Sequence, residues 1–238
     1  MTLLKYIRAN RTAPLYTLMW QAIFFAVGLG MVLIINTFLN EDPTFACMGS
    51  LMALVATLIG SMARGNLNGH VRFRLAISMG CTRKSYLLCD PIVTALTSLI
   101  GILVAWIMYL GEKALYTVLY SGFENDIPLD EVFSWEVILI IIAVTVVLDL
   151  TMSAMMQRFG TKGFLGIWLG FCALFMILPR GIEAYHEGST SFLAKMGECF
   201  MNAIVTIPGK GWIAIGVAFA LALITFAVLT FRKAEAKL

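Results

Sequence analysis

Charge is scarce in this sequence. Asp, Glu, Lys and Arg make up 13% of its 238 residues, about half the roughly 25% of an ordinary soluble domain. That leaves too little polar surface to cover a soluble core of this length, and the 60% hydrophobic content excludes intrinsic disorder. A net charge of +3 is too small to imply a nucleic-acid partner. Histidine occurs only at His70 and His186, far apart and on opposite sides in the topology below. A histidine metal cluster and a Ser–His couple are therefore excluded. No phosphate-binding loop is present. Gly209-Lys210-Gly211 and Lys162-Gly163 lack the first glycine and the Ser/Thr that would ligate magnesium. The five cysteines, Cys47, Cys81, Cys89, Cys172 and Cys199, include no C-x-x-C pair, so they fit neither a disulfide framework nor a zinc site. No catalytic set, metal or resident cofactor is expected.

Long apolar runs are what the sequence has. The mean hydropathy is +0.89, and a helix needs about 20 apolar residues to cross a bilayer. Six runs are read as spans: Tyr16–Leu39, Phe45–Ala63, Pro91–Gly111, Val137–Met156, Gly163–Leu178 and Trp212–Phe231. The fold class is then an all-α integral membrane protein, one six-helix domain over 1–238. Thirteen of the seventeen basic residues fall on one side of these runs, and most of the acids on the other. The positive-inside rule puts both termini in the cytoplasm, and an even number of spans agrees. Residues 1–12 are amphipathic. Leu3, Leu4 and Ile7 share one face and Lys5, Arg8 and Arg11 another, as in a helix on anionic headgroups or in a topogenic signal.

The longest cytoplasmic loop, 64–85, is the most informative. Gly65, Asn66, Asn68 and Gly69 predict a turn, and Val71–Met79 a short helix with Phe73 and Ile77 on one face and Arg72 and Arg74 beside them. Gly80 suits a left-handed helix stop, and Thr82 suits the cap of the next helix. Such a helix is either a docking surface for a soluble partner or a helix resting on headgroups. On the outer side, 181–211 reads as an interfacial or re-entrant segment whose half-apolar part, Phe192–Ile207, is helical. Lys113–Ser134 reads as a polar outer loop. Within the membrane, Asp149 is read as a protonated or hydrogen-bonded interhelical tie, or as a proton-relay or substrate-contact group. Asp90, before Pro91, is read as the acid at a helix start. Gly49 and Gly60 on the second run, and Gly166 and Gly170 on the fifth, are read as close-packing glycines, within one chain or between two.

The stretch Arg74-Leu-Ala-Ile-Ser-Met-Gly-Cys-Thr-Arg-Lys-Ser-Tyr-Leu87 resembles the ABC-2-type permeases, membrane subunits of bacterial ABC exporters. The family often shows a short helix, then Gly-x-Ser/Thr-Arg-Lys/Arg, then an apolar or aromatic residue entering the third span. Gly80, Thr82, Arg83, Lys84 and Tyr86 occupy those places here. The layout of six spans, amphipathic start, outer helix before the last span and basic tail is also similar. The resemblance implies a plasma-membrane permease that dimerises with itself or a paralogue to form the translocation path. It implies a separate ATPase subunit carrying ATP and magnesium. Arg72, Phe73, Arg74, Ile77, Gly80, Arg83 and Lys84 would then belong to a coupling helix seated on that ATPase. The narrower likeness is to exporters of peptides and to self-protection against antimicrobial peptides. The alternative function is an ion- or proton-coupled carrier that uses Asp149.

Overall fold

The computed structural model describes residues 6–7, 10, 12–39, 47–119, 129–172, 176–186, 191–206 and 208–233. Every regular element among them is helical. They are α1 (Ala13–Leu39), α2 (Met48–Ser78), α3 (Arg83–Leu119), α4 (Leu129–Val132), α5 (Trp135–Phe159), α6 (Thr161–Cys172), α7 (Leu178–His186), α8 (Phe192–Thr206) and α9 (Gly209–Lys233). Most of the amphipathic start, including Lys5, Arg8 and Arg11, lies outside the described residues, as does the tail beyond Lys233.

Among the described residues, four helical stretches are long and apolar enough to cross a membrane: Pro14–Ile35, Arg83–Leu119, Trp135–Phe159 and Lys210–Lys233. The chain is a multi-pass membrane protein. The second run appears as a shorter apolar segment, Met48–Gly60, at the start of α2. The fifth run is divided between α6, residues 173–175 outside the described set, and the start of α7.

Contacts divide the chain at Ser153/Ala154, within α5. In the first unit α1, α2 and α3 pack on one another. Ala53, Leu54, Ile102 and Ala105 form a buried cluster, with Phe25 of α1 and Ile138, Ile141 and Ile142 of α5 around it. Small residues set the spacing. A Cβ on Gly28 would lie 2.7 Å from the Gly49 Cα, and one on Gly101 2.8 Å from the Thr57 side chain. In the second unit α7 packs on α8. The Gly181 carbonyl lies where a Cβ of Gly197 would be, so these two helices meet backbone to backbone.

Three expectations about element boundaries need correction. First, no turn interrupts 65–69, because α2 is one helix from Met48 to Ser78 and Val71–Met79 is its end. Gly and Asn are weak helix formers, but tertiary contact overrides such preferences. Gly69 lies against α5, where a Cβ would fall 2.7 Å from the Ser153 Cα. Second, α3 starts at Arg83, so Asp90 and Pro91 stand inside it and the helix-start reading of Asp90 fails. Third, α3 runs to Leu119, and part of the expected outer loop is helix.

The stop between α2 and α3 is as expected. Gly80 has φ +79°. The Gly80 N–H donates to the Ile77 carbonyl and the Cys81 N–H to the Ala76 carbonyl, both at 2.9 Å, which is a Schellman closure. Thr82 then caps α3, its Oγ1 accepting from the Ser85 N–H at 3.2 Å. Gly80→Ala is expected to cost about 1–2 kcal/mol, because an L residue is strained in the left-handed region. A thermal melt of the purified variant checks this, and an unchanged midpoint would mean that the elbow re-forms without a left-handed residue.

A buried ionic cluster as the candidate functional site

Three helices bring their polar residues to one place. On α3, Tyr86, Asp90, Thr94 and Ser98 recur every four residues and share a face, and all four are buried. On α2, Arg64 and Arg72 stand two turns apart. On α5, Asp149 and Ser153 are one turn apart and buried. Tyr6, from the chain's start, is also buried.

Arg72 is the hub. Its Nη1 donates to Asp90 Oδ1 at 2.9 Å. Its Nη2 donates to Asp149 Oδ1 at 3.0 Å and Oδ2 at 3.3 Å, and to Ser153 Oγ at 3.3 Å. Asp90 also accepts from the hydroxyls of Tyr6 at 2.8 Å and Tyr86 at 3.3 Å. Asp149 accepts from the Thr94 hydroxyl at 2.7 Å. Arg64 is held more loosely. Its Nη2 reaches Asp149 Oδ2 at 3.3 Å and makes a close hydrogen bond to Thr94 Oγ1, and its Nη1 is 3.5 Å from Thr97 Oγ1. The four ionised groups sum to zero, and each carboxylate has a guanidinium partner, the condition under which buried charge is tolerated.

The surroundings keep the donors charged or protonated as required. Burial opposes the charge on Arg72, but the Asp149 and Asp90 carboxylates outweigh it and hold its pKa above the usual guanidinium range. Burial, helped by Asp90, pushes the Tyr6 hydroxyl well above the ordinary phenol range, so it remains a donor. The Tyr86 ring meets Tyr6 edge-on at 6.1 Å and Phe73 at 5.1 Å, closing the apolar side of the cluster.

A second buried tie stands at the other end of α3. The Glu112 carboxylate accepts from the backbone N–H groups of Gly49 at 3.0 Å and Ser50 at 2.8 Å, from the Ser50 hydroxyl, and from Tyr116 at 3.0 Å. It caps the N-terminus of α2 from a neighbouring helix, where an anion suits the free N–H groups and the dipole. Gly49 is needed there, because its Cβ position is 3.0 Å from the Phe25 ring and 3.1 Å from Glu112 Oε1. Between the two ties, Gln21 of α1 donates to Thr57 Oγ1 and to the Gly101 carbonyl, each at 2.7 Å.

The residues singled out from sequence divide accordingly. Asp149 is an interhelical tie held by hydrogen bonds and ion pairs. Asp90 joins it through Arg72, which was not expected. Phe73 is fully buried and Arg72 nearly so, so neither faces a partner as an outward anchor. Ile77 is partly buried, while Arg74, Gly80, Arg83 and Lys84 are exposed, beside exposed Val71, Leu75 and Met79. Of the packing glycines, Gly49 is closely packed, whereas a Cβ added at Gly60, Gly166 or Gly170 would meet no atom of the described residues within 4 Å. Arg64, Tyr6, Gly69 and Glu112 were missed. The four-residue polar repeat from Tyr86 to Ser98 was the available signal for a buried stripe.

Chemically, the cluster joins helices and stores opposed charge. Each aspartate sits on a different terminal nitrogen of Arg72, which separates them from the shared-proton arrangement of an aspartyl dyad. Among the described residues no group of three or more His, Cys, Asp or Glu side chains is placed to hold a metal. Comparison with protein-family models, with curated proteins and with solved structures yields no match.

Proposed function

We propose that this chain is the membrane-spanning permease subunit of an ATP-driven bacterial exporter, with six spans and both termini in the cytoplasm. Residues 71–84 couple it to a separate ATPase subunit that carries ATP and magnesium. A second permease subunit, the same chain or a paralogue, completes the path, and the substrate is a peptide or another amphipathic molecule.

The observation that carries this reading is the construction of α2. One uninterrupted helix leads from the apolar segment Met48–Gly60 to the elbow at Gly80. Just before the elbow, Arg72 ties it to α3 and α5. A force on the elbow would therefore reach three helices together. The outward face, with Val71, Arg74, Leu75, Met79, Arg83 and Lys84, mixes apolar and basic groups, as a docking surface requires. An Asp149-centred carrier is less well supported, since Asp149 accepts from Arg64, Arg72 and Thr94 at once and each transport cycle would have to break those bonds.

The test is a mild-detergent purification of the tagged chain from its native cells, followed by an ATPase assay of the eluate. An ATPase is expected to co-purify, and Arg74→Glu with Arg83→Glu is expected to release it. These two residues are exposed and lie outside the Arg72 cluster, so folding should survive. A chain that elutes alone and without ATPase activity in several mild detergents would overturn the reading.

A further inference from the structure

Beside the ionic cluster is a small polar recess lined by Thr17, Thr57, Arg64, Thr94, Thr97 and Ser98. Four of its hydroxyl groups, those of Thr57, Thr94, Thr97 and Ser98, direct their hydrogens away from it. Thr57 donates to the Ala53 carbonyl, Thr97 to Val93 and Ser98 to Thr94, each one turn back along its own helix. Thr94 donates to the Asp90 carbonyl or to Asp149. What these side chains leave for the recess is oxygen lone pairs. An acceptor-lined recess next to the Asp149 carboxylate favours a cation, and the cation on its wall is Arg64.

Arg64 is held imperfectly there. Among the described residues its one carboxylate contact is 3.3 Å, and its Nε is buried without a hydrogen-bond partner. If Arg64 leaves, Asp149 keeps Arg72 and Thr94, and Asp90 keeps Arg72 and two tyrosines. The remaining cluster then carries one net negative charge. An incoming monovalent cation restores neutrality, whereas a neutral or anionic guest leaves buried charge unbalanced.

We infer that the recess is a cation-binding subsite and that Arg64 is its built-in, displaceable occupant. The ligand class is an alkyl-guanidinium or alkyl-ammonium head, such as an arginine or lysine side chain presents, because the volume that Arg64 vacates is that of one such head on an aliphatic stem. As a substrate subsite it rests on the export reading and narrows the cargo to cationic molecules. As a binding site it stands on the chain alone.

The test uses the full chain in lipid nanodiscs, without any ATPase, with calorimetric titration of methylguanidinium. Methylurea serves as the neutral isostere and acetate as the anion. Wild type is expected to bind methylguanidinium weakly, and Arg64→Ala to bind it at least ~10-fold more tightly, a difference of about 1.4 kcal/mol. Methylurea and acetate should bind to neither. In the Arg64→Ala background, Asp149→Asn should abolish the gain. Should either variant fail to fold, the near-isosteric Thr97→Val removes one acceptor and should weaken methylguanidinium binding to the otherwise wild-type chain several-fold. Binding to Arg64→Ala alone, with none to wild type, would make Arg64 a fixed structural ion and overturn the inference. Equal affinity in both, equal binding of methylurea, or no effect of Thr97→Val would overturn it too. Absence of a co-purifying ATPase would overturn the export reading and leave this result standing.

Discussion

Arg72→Ala is expected to be the most damaging single substitution in the first unit. It leaves Asp90 and Asp149 both buried; among the described residues the cluster's remaining cation is Arg64, which pairs with Asp149 and not with Asp90. Removing one partner of a buried ionic group costs about 3–5 kcal/mol, because a charge is left in a poorly solvating environment. At roughly 2–4 °C per kcal/mol for a chain of this size, the melting midpoint in detergent should fall by on the order of 10 °C. The loss should be reversible by design. Arg72→Met combined with Asp90→Asn and Asp149→Asn removes the charges together, and replacing a whole buried ionic set is often neutral or better. Arg64→Ala should cost much less, since Asp149 retains two donors. Fluorescence-detected melts of the four proteins read this order directly. A midpoint in Arg72→Ala equal to that of Arg64→Ala would show that the hub is not a hub.

How much of this was legible in the sequence follows from which forces are local. The helical class, the stop at Gly80, the cap at Thr82 and the helix α8 depend on apolar runs, a left-handed residue and a hydroxyl at fixed places. Those are local properties and could be read along the chain. The extent of α2 could not, because Gly65 to Gly69 carries every mark of a turn. What keeps it helical is the close approach of α5, whose Ser153 is 84 positions further on. Arg72 was misplaced for a related reason. A basic residue in a basic loop is assigned to solvent, and only the fold brings it to Asp149, 77 positions away. Asp149 was conspicuous because a carboxylate in an apolar run needs a partner. The sequence could state that need without naming Arg72 as the group that meets it.

The second large effect is expected at Gly69. A methyl group there would lie 2.7 Å from the Ser153 Cα and closer still to the serine side chain. The obstacle includes backbone, so α2 and α5 must move apart. Overpacking of this kind costs about 1–3 kcal/mol. Gly60→Ala is the matched control on the same helix. Among the described residues no atom lies within 4 Å of its Cβ position, so it should stabilise by up to about 1 kcal/mol through helix propensity alone. The consequence at Gly69 goes beyond packing. Arg72 is three residues along α2, and Asp149 one turn before Ser153 on α5, so the wedge also lengthens the Arg72–Asp149 pair. Gly69→Ala and Asp149→Asn should therefore be non-additive, since both act on the same bond. Ser153→Gly should partly rescue Gly69→Ala by removing the nearest side-chain atoms. If melting midpoints showed strict additivity in the first pair and no rescue in the second, the contact between α2 and α5 would not be what lets Arg72 reach Asp149.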